Sequence, residues 1–413
     1  MKLNSISLLK TEVEKIFGKR IQSSSDCHTL CNEILRTSDI KISFNTIRRF
    51  FNLMKADGSP SSYTLNALSN YCGFQSFDKF IGIRQQNAVP QEQEQEQDPV
   101  LLNFLILFFK QIEVCKKNDI TYLSLVQQTI MHLDQHRFII DSFQREIAKT
   151  KNGQSFYFEQ FVFVDKLNSY YGAGLQYYLN EKKTKEAQLF GYSLLCYHSW
   201  LTQNNVGIEK YFRKVMQQGL NTAGSQSVNA RYFTTQLFYA DALALDQESI
   251  LMQAKQFYLS TLKLKDNNLT SNCFEIIMAE ALILTGNYEN ALFYLEEILK
   301  EVKRNIPSYI EVALYENICL FKAIVFANTG KKMKAYEILK DINPNKFSFL
   351  SRKFMNILYF SIRQMFRNVA VEQEQIHQSI RETGFTRLLS VYDSYSVETC
   401  EEVGKFGQKM IAI

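Results

Sequence analysis

The residues best suited to chemistry lie between positions 41 and 52. Lys41, Arg48 and Arg49 are cationic, Asn45 and Asn52 carry amides, and Ser43 and Thr46 carry hydroxyls. No acid interrupts residues 40–56. An arginine bonds guanine bidentately and an asparagine bonds adenine, each contributing about 1–3 kcal/mol of base discrimination. Lys41, Ser43 and Thr46 suit phosphate contacts, which set register rather than sequence. Together these residue types are equipped to recognise double-stranded DNA, not to make or break bonds.

Such side chains need a rigid element to aim them. Phe44, Ile47, Phe51 and Met54 follow a 3-4-3 spacing, which predicts a helix over 44–54 with one buried stripe. At about 100° per residue, Asn45, Arg49 and Asn52 face away from that stripe, with Arg48 on its flank. Ser43 is the expected N-cap, and Lys41 precedes it. Four more short helices are expected around this one: 5–17; 27–35, capped by Asp26; 64–71, closed by Gly73; and 77–83, capped by Ser76.

The run Ile42-Ser43-x-x-Thr46-Ile47-x-Arg49, followed by Ser59-Pro60-Ser61 and then Thr64-Leu65-x-x-Leu68, resembles the lambda-repressor-like helix-turn-helix family over residues 28–83. The resemblance implies a serine-capped recognition helix, a Pro-Ser step and a fourth helix with a Thr-Leu start. The chain departs from the family ahead of Ser43. Leu35 is followed by Arg-Thr-Ser-Asp-Ile-Lys-Ile, a longer turn, so no contact from the second helix carries over.

Composition sets the wider frame. The chain has 413 residues, room for two or three domains, and its 46% hydrophobic content suffices for a full core. With only 5 prolines and 16 glycines it is too poor in turn residues for a β-sandwich or barrel. The expected fold is all-α. The polar run 85–98, QQNAVPQEQEQEQD, reads as a flexible linker between a helix-turn-helix-like domain, 1–84, and a body, 99–413. Residues 1–86 hold twelve lysines and arginines against seven acids, whereas the linker is purely acidic. A local positive patch suits a polyanion. The longest apolar run, 100–109, is broken by Asn103 and is too short to cross a membrane, and no signal-peptide core opens the sequence. The expected location is cytoplasmic, with scattered free thiols.

The body carries an internal repeat. Ala279-x6-Gly286-x4-Ala291 recurs as Ala323-x6-Gly330-x4-Ala335, and a weaker copy is Ala242-x11-Ala254 with Ser249 at the glycine position. The alanines allow close helix approach, and the glycine closes the first helix in a left-handed conformation. These spacings, with Tyr288, resemble the tetratricopeptide repeat, although the copies are 37 and 44 residues apart rather than the usual ~34. The resemblance implies a right-handed α-solenoid of helix hairpins whose concave surface binds a peptide or protein. Most of the aromatics are expected to fill helix interfaces.

Chemistry of other kinds finds little support. Cys27-His28-x-x-Cys31 and His132-x-x-x-His136 have helical metal-ligand spacing, but neither brings a convincing third and fourth ligand. Packed thiols and a solvated helix end explain them better. Gly172-Ala-Gly174 is too short for a dinucleotide loop and reads as a helix break or close packing. No enzyme, cofactor or metal site is expected. The arrangement of head and body resembles bacterial regulators that join a helix-turn-helix to tetratricopeptide repeats and respond to signalling peptides. A homodimer is expected because a single helix-turn-helix reads too few base pairs, and Asn317 is of the type that contacts peptide in those regulators. The alternative is an interaction scaffold whose head docks a protein.

Overall fold

The computed structural model describes residues 2–38, 40–55, 60–74, 76–86, 92–111, 120–221, 224–261, 273–302, 308–366 and 370–390. Every regular element among them is helical, so the fold is all-α. The chain forms two compact units that divide between Tyr157 and Phe158.

The first unit opens with α1 (Lys2–Phe17), α2 (Ser24–Ser38), α3 (Phe44–Phe50), α4 (Ser62–Tyr71) and α5 (Phe77–Gln86). One core joins them, built on Leu9 and Val13 of α1, Leu30 and Ile34 of α2, Ile47 and Phe50 of α3, Leu68 of α4 and Phe80 of α5. The caps are local. Ser23 and Asp26 form a capping box at α2: Asp26 accepts from the Ser23 amide at 2.8 Å, and Ser23 Oγ accepts from the Asp26 amide at 3.2 Å. Ser23, rather than Asp26, is therefore the cap. Ser61 caps α4 through the Thr64 amide, and Ser76 caps α5 through that of Lys79. Gly73, at φ +82°, closes α4.

The third helix is shorter than its spacing predicts. It stops at Phe50 because Asn52 adopts φ +60°, and the Leu53 amide donates back to the Arg48 carbonyl at 2.8 Å in a Schellman turn. Asparagine tolerates the left-handed region better than other non-glycine residues. Met54 therefore lies beyond the helix, and its place on the buried stripe passes to Phe50.

The same unit continues with α6 (Glu92–Gln111), α7 (Ile120–Gln135) and α8 (Arg137–Ile147). The polar segment 85–98, expected as a linker, falls inside this unit and is helical from Glu92. Glutamate and glutamine are good helix formers. The helix extends into apolar residues that pack on α8, where the rings of Phe109 and Phe143 lie 5.6 Å apart.

The second unit begins with a 3-10 turn, Val164–Lys166, and α9 (Tyr170–Glu181). Five helix hairpins follow in chain order: α10 (Lys185–Leu201) with α11 (Asn205–Gln218), α12 (Gln226–Ala242) with α13 (Glu248–Thr261), α14 (Phe274–Leu284) with α15 (Tyr288–Val302), α16 (Ser308–Asn328) with α17 (Lys332–Asp341), and α18 (Arg352–Gln364) with α19 (Ala370–Thr383). The first helix of each hairpin packs on the first helix of the next. Left-handed residues end the first helices at Gln203, Ala244, Gly286 and Gly330, a spacing of 41 to 44 residues. In the weaker copy, Ala242-x11-Ala254, the glycine equivalent is Ala244, not Ser249. The Leu245 amide closes that turn on the Ala240 carbonyl at 2.8 Å, and Ser249 lies exposed in the first turn of α13. Ala279, Ala291, Ala323 and Ala335 are fully buried where their helices cross.

The ends of this helical array meet. Asp165 accepts the amides of Lys353 and Phe354 at 2.8 and 3.0 Å, capping α18 in place of a local side chain. The Arg387 amide donates to the Leu201 carbonyl at 3.0 Å. The last hairpin is thus hydrogen-bonded to the start of the unit and to its first hairpin.

Candidate nucleic-acid interface

Helix α3 is held by its cap and its buried side. Ser43 Oγ accepts the Thr46 amide at 3.2 Å and lies 2.8 Å from Thr46 Oγ1. Ile47 and Phe50 are buried, which fixes the rotation of the helix about its axis. Asn45 and Arg49 are both exposed and lie one turn apart on the outer face. Lys41 and Ser43 are exposed just ahead of the helix, and Thr46 is half-buried.

Two predicted residues take up other duties. The Arg48 guanidinium lies over the Phe44 ring, 5.3 Å from its centroid, and its Nε is buried. Arg48 is thus packed along the flank, while Arg49 is the outward cation. Asn52 leaves the helical face with the left-handed turn, and its Oδ1 accepts from Lys10 Nζ at 3.1 Å. Lys10 also lies 5.5 Å from the Phe50 ring centroid.

Two further residues border the surface without a signal in the motif. Lys10 comes from α1, and burial lowers its pKa against the pull of Glu14. Tyr63, exposed at the start of α4, donates to the Lys41 carbonyl at 3.2 Å and so steadies the segment before α3. Neither has a periodicity that ties it to α3. An exposed tyrosine beside a Pro-Ser step is the only sequence-level hint.

The other candidate clusters have plainer surroundings. Cys27 is buried and Cys31 half-buried in α2, both free, and burial raises both thiols. The His28 ring packs 4.8 Å from that of Phe44. His132 and His136 lie ring to ring at 4.3 Å, and His136 Nδ1 donates to the His132 carbonyl at 3.1 Å. Burial and then the neighbouring His136 lower the pKa of His132. Among the described residues no three His, Cys, Asp or Glu side chains converge on a metal site. Gly172 lies inside α9, where a Cβ would meet the Leu167 carbonyl oxygen at 2.0 Å, so close packing accounts for it.

In the second unit Asn317 is buried in α16, and its Oδ1 has no hydrogen-bond partner among the described residues. In the same unit, Tyr197 donates to Glu280 Oε1 at 2.9 Å. Tyr197 also stacks on Phe238 at 5.0 Å and meets Phe354 edge-on at 6.5 Å. No helix among the described residues is long and apolar enough to cross a membrane. Compared with protein-family models, with curated proteins and with solved structures, the chain matches none.

Proposed function

We propose that the chain is a DNA-binding transcriptional regulator. In this reading α1–α5 read duplex DNA through α3, and the hairpins from α10 onward, arranged as a solenoid of tetratricopeptide type, bind a peptide or protein partner that controls the head. The observation that carries the reading is the pairing of exposed Asn45 and Arg49 on a helix anchored from behind by Ile47 and Phe50. A firmly packed short helix presenting these two side chains suits the major groove. Lys41, Ser43 and Thr46 would reach phosphates beside it. A single head spans too few base pairs for strong discrimination, so two copies would bind together.

A second reading is an interaction scaffold whose head docks a protein. The packing of Arg48 on Phe44 favours it, because one cation of the motif then serves the fold. Binding of the full-length chain to a pool of genomic DNA fragments across a salt series decides between them. The regulator gives enriched fragments, an affinity that falls steeply with salt, and loss of both effects in Arg49→Ala. A well-folded chain that binds no fragment at low salt points to the scaffold.

A further inference from the structure

Helix α6 carries the longest apolar run of the chain, residues 100–109, interrupted only at Asn103. A helix that is apolar all round is one whose whole circumference is buried. In the first unit only one side of α6 is. Leu105, Ile106 and Phe109 are buried, Phe109 against Phe143 of α8, and Phe108 stacks on Tyr122 of α7 at 5.4 Å. The opposite face carries Val100, Phe104 and Leu107, which are 71%, 65% and 46% exposed. Their 4-3 spacing sets them within about 60° of arc in one stripe, the spacing of a coiled-coil seam. Apolar side chains exposed singly are ordinary, but a contiguous stripe marks an interface. Charge names the occupant. Glu92, Glu94, Glu96 and Asp98 precede the stripe with no base among them, whereas Lys110, Lys116 and Lys117 follow it with Glu113 as the one acid between. Lys110 is exposed, and its Nζ lies 3.2 Å from Glu146 of α8. Two copies of such a segment repel when laid parallel, acid beside acid, and attract when laid antiparallel.

We propose that α6 pairs antiparallel with α6 of a second copy of this chain, stripe against stripe, and that the chain is a dimer in the absence of DNA. The stripe is self-complementary about Phe104, as a twofold interface requires. The acidic end of each helix lies beside the end of the other that carries Lys110. Because α6 belongs to the same compact unit as α1–α5, the pairing couples two heads. It rests on the regulator reading only for that use, and the contact itself needs no DNA.

The test is sedimentation velocity of the full-length chain without DNA, from about 1 to about 50 µM. The expected result is a reversible monomer–dimer equilibrium that Phe104→Glu and Leu107→Glu each weaken by about tenfold or more. A chain that stays monomeric at the highest concentration overturns the proposal, whatever else then covers the stripe. A dimer indifferent to both variants has its interface elsewhere and overturns it too. The photoreactive substitution Leu107→p-benzoylphenylalanine keeps an apolar side chain and reads the orientation even where a glutamate variant fails to fold. Attachment at about residues 97–104 of the other copy supports the antiparallel pair, and attachment around position 107 overturns it. DNA binding measured on the same samples keeps the two readings apart. A dimer that binds no DNA overturns the regulator reading and supports the pairing, whereas a monomer that binds DNA overturns the pairing alone.

Discussion

The guanidinium of Arg387 lies over the indole of Trp200, 4.6 Å from the ring centroid, and both side chains donate to the same carboxylate oxygen of Asp241, at 2.9 and 2.8 Å. Arg387 Nε adds a bond to the Trp200 carbonyl at 3.0 Å. These contacts tie the turn after α19 to α10 and α12, so the last hairpin holds the first two. Substituting Arg387 by Ala removes the stacking and leaves the half-buried Asp241 with one partner fewer. The second unit is expected to lose about 1–3 kcal/mol, read from urea unfolding. Trp200 is the only tryptophan in the chain, so its emission reports the loss directly.

The closure at Asp165 has a pH signature. Burial raises its carboxyl from 3.8 to about 6, against the opposing pull of the Lys353 and Phe354 amides and of Lys353 and Lys166. Between those two values the folded chain holds a proton that the unfolded chain has released, so stability falls as pH rises through that window and levels off above about 6. The full effect is on the order of 3 kcal/mol. Asp165→Asn is expected to remove this slope. Urea midpoints of wild type and variant between pH 4 and pH 7 check it: the difference between the two chains must change across the window. A constant difference would show that Asp165 does not titrate there.

Ala244 occupies a left-handed position, φ +52°, where the neighbouring turns use Gly286 and Gly330. A Cβ in that conformation costs about 1–2 kcal/mol. Ala244→Gly is therefore expected to stabilise the second unit by about 0.5–1 kcal/mol, part of the gain being offset by the freedom of glycine in the unfolded chain. Gly330→Ala is expected to destabilise by a similar amount. Paired thermal melts of the two variants show opposite shifts if the turns are equivalent.

Arg48 and Arg49 adjoin in the chain yet differ in duty. On the regulator reading, Arg49→Ala is expected to leave the melting temperature unchanged and to weaken DNA binding by ~1–3 kcal/mol, about fivefold to 150-fold. Arg48→Ala removes the contact with Phe44 and is expected to cost the head about 0.5–1 kcal/mol of stability. Filter binding and thermal unfolding, measured on both variants, separate the roles. Equal DNA losses in the two variants would contradict the assignment of Arg49 as the outward reader.

Much of this protein was determined by its sequence alone, wherever the physics is local. Hydrophobic periodicity located the helices, and Ser43 and Ser76 capped two of them through amides three residues on. Gly286 and Gly330 marked hairpin turns because glycine alone adopts the left-handed conformation without strain. The left-handed Ala244 and Gln203 escaped notice because their residue types carry no such mark, and the turn at Asn52 shortened α3 against its apolar pattern. The tertiary structure decided everything that joins distant residues. It set Asp165 at the start of α18, 188 residues along the chain, and Arg387 on Trp200, 187 residues back. It turned Arg48 onto Phe44, leaving Arg49 outward. Periodicity states which face of a helix is buried. Which partner buries that face, and whether a charge finds its counterion there, depends on the packing of whole hairpins, and no short window of residues encodes it.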